Sequence, residues 1–377
     1  MRLTKLLLFT ALLFGVVNAV RAEATDDKIV VNVYDNQILY PGSGESIYVS
    51  LSMESTSNIK YSAYQVSLEL PDGLEVCMVD GEYEVYMYGN GGFYPRTGSD
   101  RTGWTYKHTV AANVVEGNVL NIACSSNENA LFAQTSGDLL DFYVKASPYL
   151  KPGNIEIKVK NVEFVTPDGK QYIPADYIST SVQASATSTL ALKVSSDNKF
   201  STCILPFDYA LPDDGSLEAY TCDSHTTDAL ILNKVSQIEA YTPYILRSEV
   251  GFSATLSGTV DTAKYPIGGV VQSGYLVGTV VSQELTEGSY VMQNQGDGAK
   301  FYRVGATPFA IPAGKCYVEM PAGTQATSFR IGSTTSIEHC ESPIVNNESI
   351  YNLHGYRVIH MQPGNIYIVN GRTVLAK

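Results

Sequence analysis

Two runs of strict alternation constrain this chain more than any other feature. Ile47-Tyr48-Val49-Ser50-Leu51-Ser52-Met53 and Tyr64-Gln65-Val66-Ser67-Leu68-Glu69-Leu70 each place an apolar side chain at every second position. Successive side chains of a strand point to opposite faces, so each run offers one face to a core and one to water. Pro71-Asp72-Gly73 supplies turn chemistry, and Leu74-Glu75-Val76 resumes the alternation. The pattern predicts an all-β fold built on a β-sandwich. Ile155 to Val159 alternates as well, but past Asn161 the apolar positions move to Val162 and Phe164. A bulge at Lys160-Asn161 keeps both sets on one face.

With 377 residues, 44% of them apolar and 17% charged, the chain is long enough for two or three globular domains. Its net charge of −13 repels phosphate backbones and anionic lipid, which argues against nucleic-acid and peripheral membrane partners. Met1-Arg2-Leu3-Thr4-Lys5 is a basic start, Leu6 to Val17 is apolar, and small residues follow at Ala22 and Ala24. Residues 1–24 therefore read as a secretory signal, and the protein is expected outside the cytoplasm, secreted or at the cell surface. No later apolar run has the length of a membrane span. An oxidising compartment permits disulfides among the six cysteines, and Cys203 and Cys222 fall in one segment where a bond would close a loop. Buried free thiols are the competing reading.

The first domain is expected over 25–182. Its strands include Ile29–Val33, the two alternating runs, Glu82–Tyr88, Trp104–Val110, Val119–Cys124, Leu139–Val144 and Ile155–Val159, with one helical turn at Asn127–Gln134. The small polar stretch 183–189 reads as a linker. A second all-β domain over 190–332 follows from short apolar strands separated by Gly and Pro. Residues 333–349 are a second linker, and 350–377 form a β-hairpin tail.

Chemistry is scarce. His108, His225, His339, His354 and His360 lack the spacing of a metal site, no C-x-x-C pair occurs, and no cofactor motif is present. Asp223-Ser224-His225 has the residue types of a triad, but neighbours in sequence cannot point at one another as a triad requires. Glu82 and Glu84 read as a solvated strand face. The stretch that stands out for binding is Tyr83 to Tyr106. There Tyr86, Tyr88, Phe93, Tyr94, Trp104 and Tyr106 crowd around Gly89-Asn90-Gly91-Gly92. Aromatic faces stack on sugars and anchor protein interfaces, and the alternative is core packing. Alternation puts Tyr86 and Tyr88 opposite Val85 and Met87, so burial of Val85 leaves the tyrosines wet.

The order of an opening strand, Pro41-Gly42, the Ile47 run, Leu70-Pro71-Asp72-Gly73-Leu74-Glu75-Val76 and Gly137-Asp138-Leu139-Leu140-Asp141-Phe142-Tyr143-Val144 resembles cohesin-like domains of the carbohydrate-binding-module sandwich superfamily. Cohesins hold dockerins on one sheet face, without chemistry. No dockerin calcium loop occurs in this chain. The second domain resembles an accessory β domain of secreted and surface Bacteroidales proteins, and the tail from Ile350 is similar to C-terminal sorting tails of Bacteroidetes secreted proteins, though shorter than a full sorting domain. The resemblance implies a non-enzymatic binding or adhesion module that takes a protein partner or a polysaccharide. The alternatives are a structural or surface-display component of the cell envelope, and an accessory part of a polysaccharide-degrading system.

Overall fold

The computed structural model describes residues 22–33, 37–87, 108–132, 135–332, 350–352, 357–358, 361–369 and 372–376. Among them there is no helix, and the chain is all-β. The first unit contains β1 (Glu23–Val33), β2 (Ile38–Leu39), β3 (Ser46–Glu54), β4 (Ala63–Glu69), β5 (Leu74–Val76), β6 (Met78–Val79), β7 (Glu82–Tyr83), β8 (Val85–Met87), β9 (Thr109–Val115), β10 (Val119–Ser125), β11 (Gly137–Ala146), β12 (Gly153–Val165), β13 (Gln171–Ile178) and β14 (Thr180–Ala184). One ladder runs β5-β11-β3-β1-β13-β12-β4-β10-β9, with β8 also on β11 and β14 bridging β12 and β2. Between β12 and β13 it is joined by only two residue pairs, Phe164↔Tyr172 and Val165↔Gln171, and there it folds over into two layers.

The alternating runs do what their period requires. Val49, Leu51 and Met53 from one layer share a core with Val66, Leu68, Ile122 and Phe164 from the other. Each fully buried side chain of this kind contributes roughly 1.5–3 kcal/mol. The bulge expected at Lys160-Asn161 is present. Val159 pairs Leu68 and Asn161 pairs Ser67, leaving Lys160 without an opposite residue. Val159 and Val162 are both buried as a result. No helical turn forms at 127–132, where Asn129 adopts a left-handed φ of 53° and its N–H bonds the Ser126 carbonyl.

The stretch expected to be a linker at 183–189 is strand at both ends, since β14 reaches Ala184 and β15 (Thr187–Val194) begins three residues later. Thr residues suit a pleated strand, and tertiary partners decide the outcome here. Ser188 is fully buried and its hydroxyl donates to the Pro148 carbonyl at 2.7 Å.

The second unit is all-β. Its main sheet places the strands Phe200–Cys203, Tyr244–Arg247 and Glu218–His225 side by side in that order, and β15 forms a separate pair with Phe252–Thr259. Tyr149 of the first unit plugs into it. The ring lies in a cluster with Ile204, Tyr241, Val260 and Val280, and the hydroxyl donates to the Ile204 carbonyl at 2.8 Å. The tail is a pair of hairpins closed into one four-stranded sheet. Ile350, Tyr367, Val369, Val374 and Ala376 make its small core.

The Cys203–Cys222 disulfide is not formed, and both residues are buried free thiols. Strand order explains this. Tyr244–Arg247 lies between their strands, which separates the backbones by about 9.5 Å, beyond the reach of a disulfide. Cys77, Cys124 and Cys316 are also buried, and none of the three is in a disulfide.

Candidate functional site

The outer face of β12, β4, β10 and β9 is a regular four-stranded surface of the first unit, and register builds it row by row. Asn161, Ser67, Asn121 and Asn113 stand level across the four strands. Glu163, Gln65, Ala123 and Ala111 form the next row, and Lys158, Glu69, Val119 and Val115 another. All are half-buried or exposed, whereas the intervening Val66, Leu68, Leu120 and Ile122 are buried. The row through Asn161, Ser67, Asn121 and Asn113 is built of short polar side chains, while Gln65, Glu163, Lys158 and Glu69 in the flanking rows are longer.

Its polar groups are largely tied to each other. The Ser67 hydroxyl donates to Asn121 Oδ1 at 2.7 Å, Gln65 Nε2 donates to Glu163 Oε2 at 3.1 Å, and Lys160 pairs with Glu69. Burial against the sheet pushes the Glu163 carboxyl above its ordinary range, partly offset by the Gln65 hydrogen bond. At one end the face sinks into a hollow of about 470 Å³ between Gln65, Ala123, Asn129, Glu163 and Pro167. Away from that hollow, a strand surface whose polar side chains are bonded to one another gives a small molecule little to enclose. It suits a second protein surface, where area and shape provide the contact.

The aromatic stretch singled out in the sequence is only partly in view. Tyr88, Phe93, Tyr94, Trp104 and Tyr106 lie outside the described residues. Tyr86 is 41% exposed, beside a half-buried Val85, and its hydroxyl donates to Glu84 Oε1 at 3.0 Å. It stands edge-on to Tyr143 at 6.0 Å and 87°, and Tyr143 is edge-on to Tyr48 at 5.5 Å and 70°. This ladder lies on the other layer of the sandwich, across β8, β11 and β3. Edge-on rings brace one another and present no coplanar platform for a sugar. Sequence reading missed Tyr48 and Tyr143 as partners of Tyr86. The usable signal was their place at the wetted phase of two alternating strands.

The remaining candidates have structural roles. His108 is buried, stacks on Phe132 at 4.6 Å, and has Nε2 within 2.9 Å of the Ala130 carbonyl and 3.1 Å of the Ser62 carbonyl, so Nε2 carries a proton shared between two acceptors. His225 Nδ1 sits 2.7 Å from the Thr226 carbonyl, while Asp223 Oδ2 accepts from Asn233. Among the described residues no group of His, Cys, Asp and Glu is placed to hold a metal ion.

No family model matches the chain, and no curated protein is similar to it. Among solved structures it is similar to a type I cohesin–dockerin complex from Clostridium thermocellum, with 13% identity, 45% of this chain and 98% of that chain covered, and a TM-score of 0.32. It is also similar to a non-cellulosomal cohesin from the archaeon Archaeoglobus fulgidus, with 16% identity, 42% and 91% coverage, and a TM-score of 0.29. The cohesin module of a family 33 glycoside hydrolase from Clostridium perfringens gives 12% identity, 42% and 97% coverage, and a TM-score of 0.32.

Proposed function

We propose that the chain is an exported, non-catalytic docking protein whose first unit takes a protein partner on the outer face of β12, β4, β10 and β9. The observation that carries this reading is the face itself, four strands wide, with Asn161, Ser67, Asn121 and Asn113 level across it and much of its polar surface bonded within the sheet. The resemblance of Pro41 to Val76 and of Gly137 to Val144 to cohesin-like domains supports it, because cohesins work by contact through a sheet face. Export rests on the basic start and the apolar run from Leu6 to Val17. A protein is favoured over a polysaccharide because Tyr86, Tyr143 and Tyr48 meet edge to edge.

The test uses the full mature chain as bait for secreted proteins and for a glycan array. Ala123→Arg sets a long charged side chain on the inner strand β10 of the face, beside the hollow, where docking would desolvate it. The expected outcome is a captured protein whose affinity falls at least thirtyfold in Ala123→Arg, about 2 kcal/mol, while Tyr86→Ala retains it. Capture indifferent to Ala123→Arg, or glycan binding abolished by Tyr86→Ala, overturns the proposal.

A further inference from the structure

A cleft of about 1290 Å³ lies where the two units meet. One wall comes from the first unit at Asp72–Glu75, Val114–Asn118 and Ser147–Tyr149, and the other from β15 and the segments 280–284 and 310–315 of the second unit. Its floor includes a strand edge. β15 pairs on one side with Phe252–Thr259, in unbroken register from Thr187↔Thr259 to Val194↔Phe252. On the other side, the Thr189 N–H donates to the Pro41 carbonyl at 2.9 Å. Thr189 therefore directs its backbone groups away from Phe252–Thr259. In an antiparallel strand that direction alternates, so Ala191 and Lys193 point their N–H and C=O groups the same way, into the cleft. The Ala186 carbonyl, accepting from the Val260 N–H, confirms the phase on the opposite side.

The first unit thus occupies the start of this edge and then leaves it. Residues 38–41 run alongside 183–189, with Gln183↔Ile38 and Ala184↔Leu39 in parallel register and the Ser185 N–H on the Leu39 carbonyl. At Gly42 the chain turns away with a φ of +75°, so close that a Cβ there would lie 1.6 Å from the Thr189 oxygen. Beyond this point no strand of the described residues pairs with β15 on the cleft side.

We propose that an extended, basic peptide binds in this cleft as an added strand on the free edge of β15, continuing the seam that Pro41 begins. Ala191 and Lys193 supply the main-chain hydrogen bonds, the mode by which sheet edges take up peptides. Charge selects the occupant. Asp72, Glu116 and Glu284 line the cleft with exposed carboxylates, and Glu75 adds a fourth that is partly neutralised by Lys145 at 3.7 Å. Against them stand Lys193 and Lys315, and Lys315 is bound to one wall through Ser201 and the Thr202 carbonyl. The chain's own 333–349 carries Glu338, Glu341 and Glu348 without a Lys or Arg, so its charge suits the cleft poorly.

A fluorescein-labelled short peptide of alternating Lys and Val, titrated with the full chain by anisotropy, tests the proposal. Saturable binding is expected, with a loss of about tenfold or more in Ala191→Pro, which deletes one edge N–H at a position where proline is tolerated. The same loss is expected when alternate amides of the peptide are N-methylated, a change that leaves the protein untouched. Glu116→Lys with Glu284→Lys weakens binding several-fold at low salt, and the difference shrinks as salt rises. Absence of binding, indifference to N-methylation, equal binding of a Glu-for-Lys peptide, or tighter binding of a 333–349 peptide each overturns it.

Discussion

Asp27 shows how much one side chain holds in place. It is fully buried, at a bulge where β1 passes from Thr25↔Pro174 to Lys28↔Asp176. Its carboxylate accepts from the Thr56 and Ser57 N–H groups, from the Ser57 hydroxyl at 2.9 Å and from the Tyr61 hydroxyl at 2.8 Å. Burial raises its pKa, but the donors outweigh burial and hold it below the ordinary value. A depressed folded pKa stabilises the fold above the unfolded value, near 4, and that stability is lost as pH falls through the folded pKa. Urea midpoints followed down from neutral pH should therefore drop in acid. Asp27→Asn should cost about 1–3 kcal/mol at neutral pH and flatten that drop. A parent and variant with the same acid profile would show that Asp27 is not the responsible group. The buried thiols make a second test at this scale. Burial pushes the thiols of Cys124 and Cys203 up to about 12, so the reactive thiolate is scarce. Alkylation followed by peptide mass spectrometry should leave Cys77, Cys124, Cys203, Cys222 and Cys316 unmodified until denaturant is added. A Cys203–Cys222 cross-linked peptide would contradict the strand order.

Among elements, the hairpin joining β9 to β10 links both layers of the sandwich. Gly117 and Asn118 take left-handed φ values of 77° and 54°. Asn118 Nδ2 then donates to the Pro71 and Leu74 carbonyls, each at 2.9 Å, while its own carbonyl accepts from the Leu70 N–H. The turn after β4 is thereby tied to the turn after β9. Asn118→Ala should lower stability by roughly 1–3 kcal/mol in urea titration, since the Pro71 and Leu74 carbonyls each lose the amide donor of Asn118 and the left-handed backbone loses a residue that tolerates it. Periodicity revealed the elements better than their ties. The slip between Val159 and Val162 located the bulge at Lys160 because one extra residue is the cheapest way to keep both valines inside. Nothing in Glu116-Gly117-Asn118 announced that the asparagine reaches Pro71, a contact that exists only once distant strands are paired. The outer face of β4 and β10 was legible as wetted positions, but the rows through Asn113 and Asn161 depend on register between strands far apart in sequence.

Across the whole molecule, the two large units meet through Tyr149, Ser188 and residues 38–42. Gly314 approaches the Tyr149 hydroxyl so closely that a Cβ would lie 2.3 Å from it. Calorimetry of the parent should show the two units unfolding together. Tyr149→Ala, losing a buried aromatic worth about 3–5 kcal/mol, should split the transition into two. A single unchanged transition would place the coupling elsewhere. By itself the sequence determined the all-β class, the strand phases, the bulge and the turns, because each is written in the spacing of neighbouring residues. Only the tertiary structure decided that 183–189 is paired strand at both ends, that Cys203 and Cys222 stand apart, and that a cleft opens over β15. Those outcomes turn on which strands lie side by side, and that is settled by burial and main-chain pairing between segments tens to hundreds of residues apart.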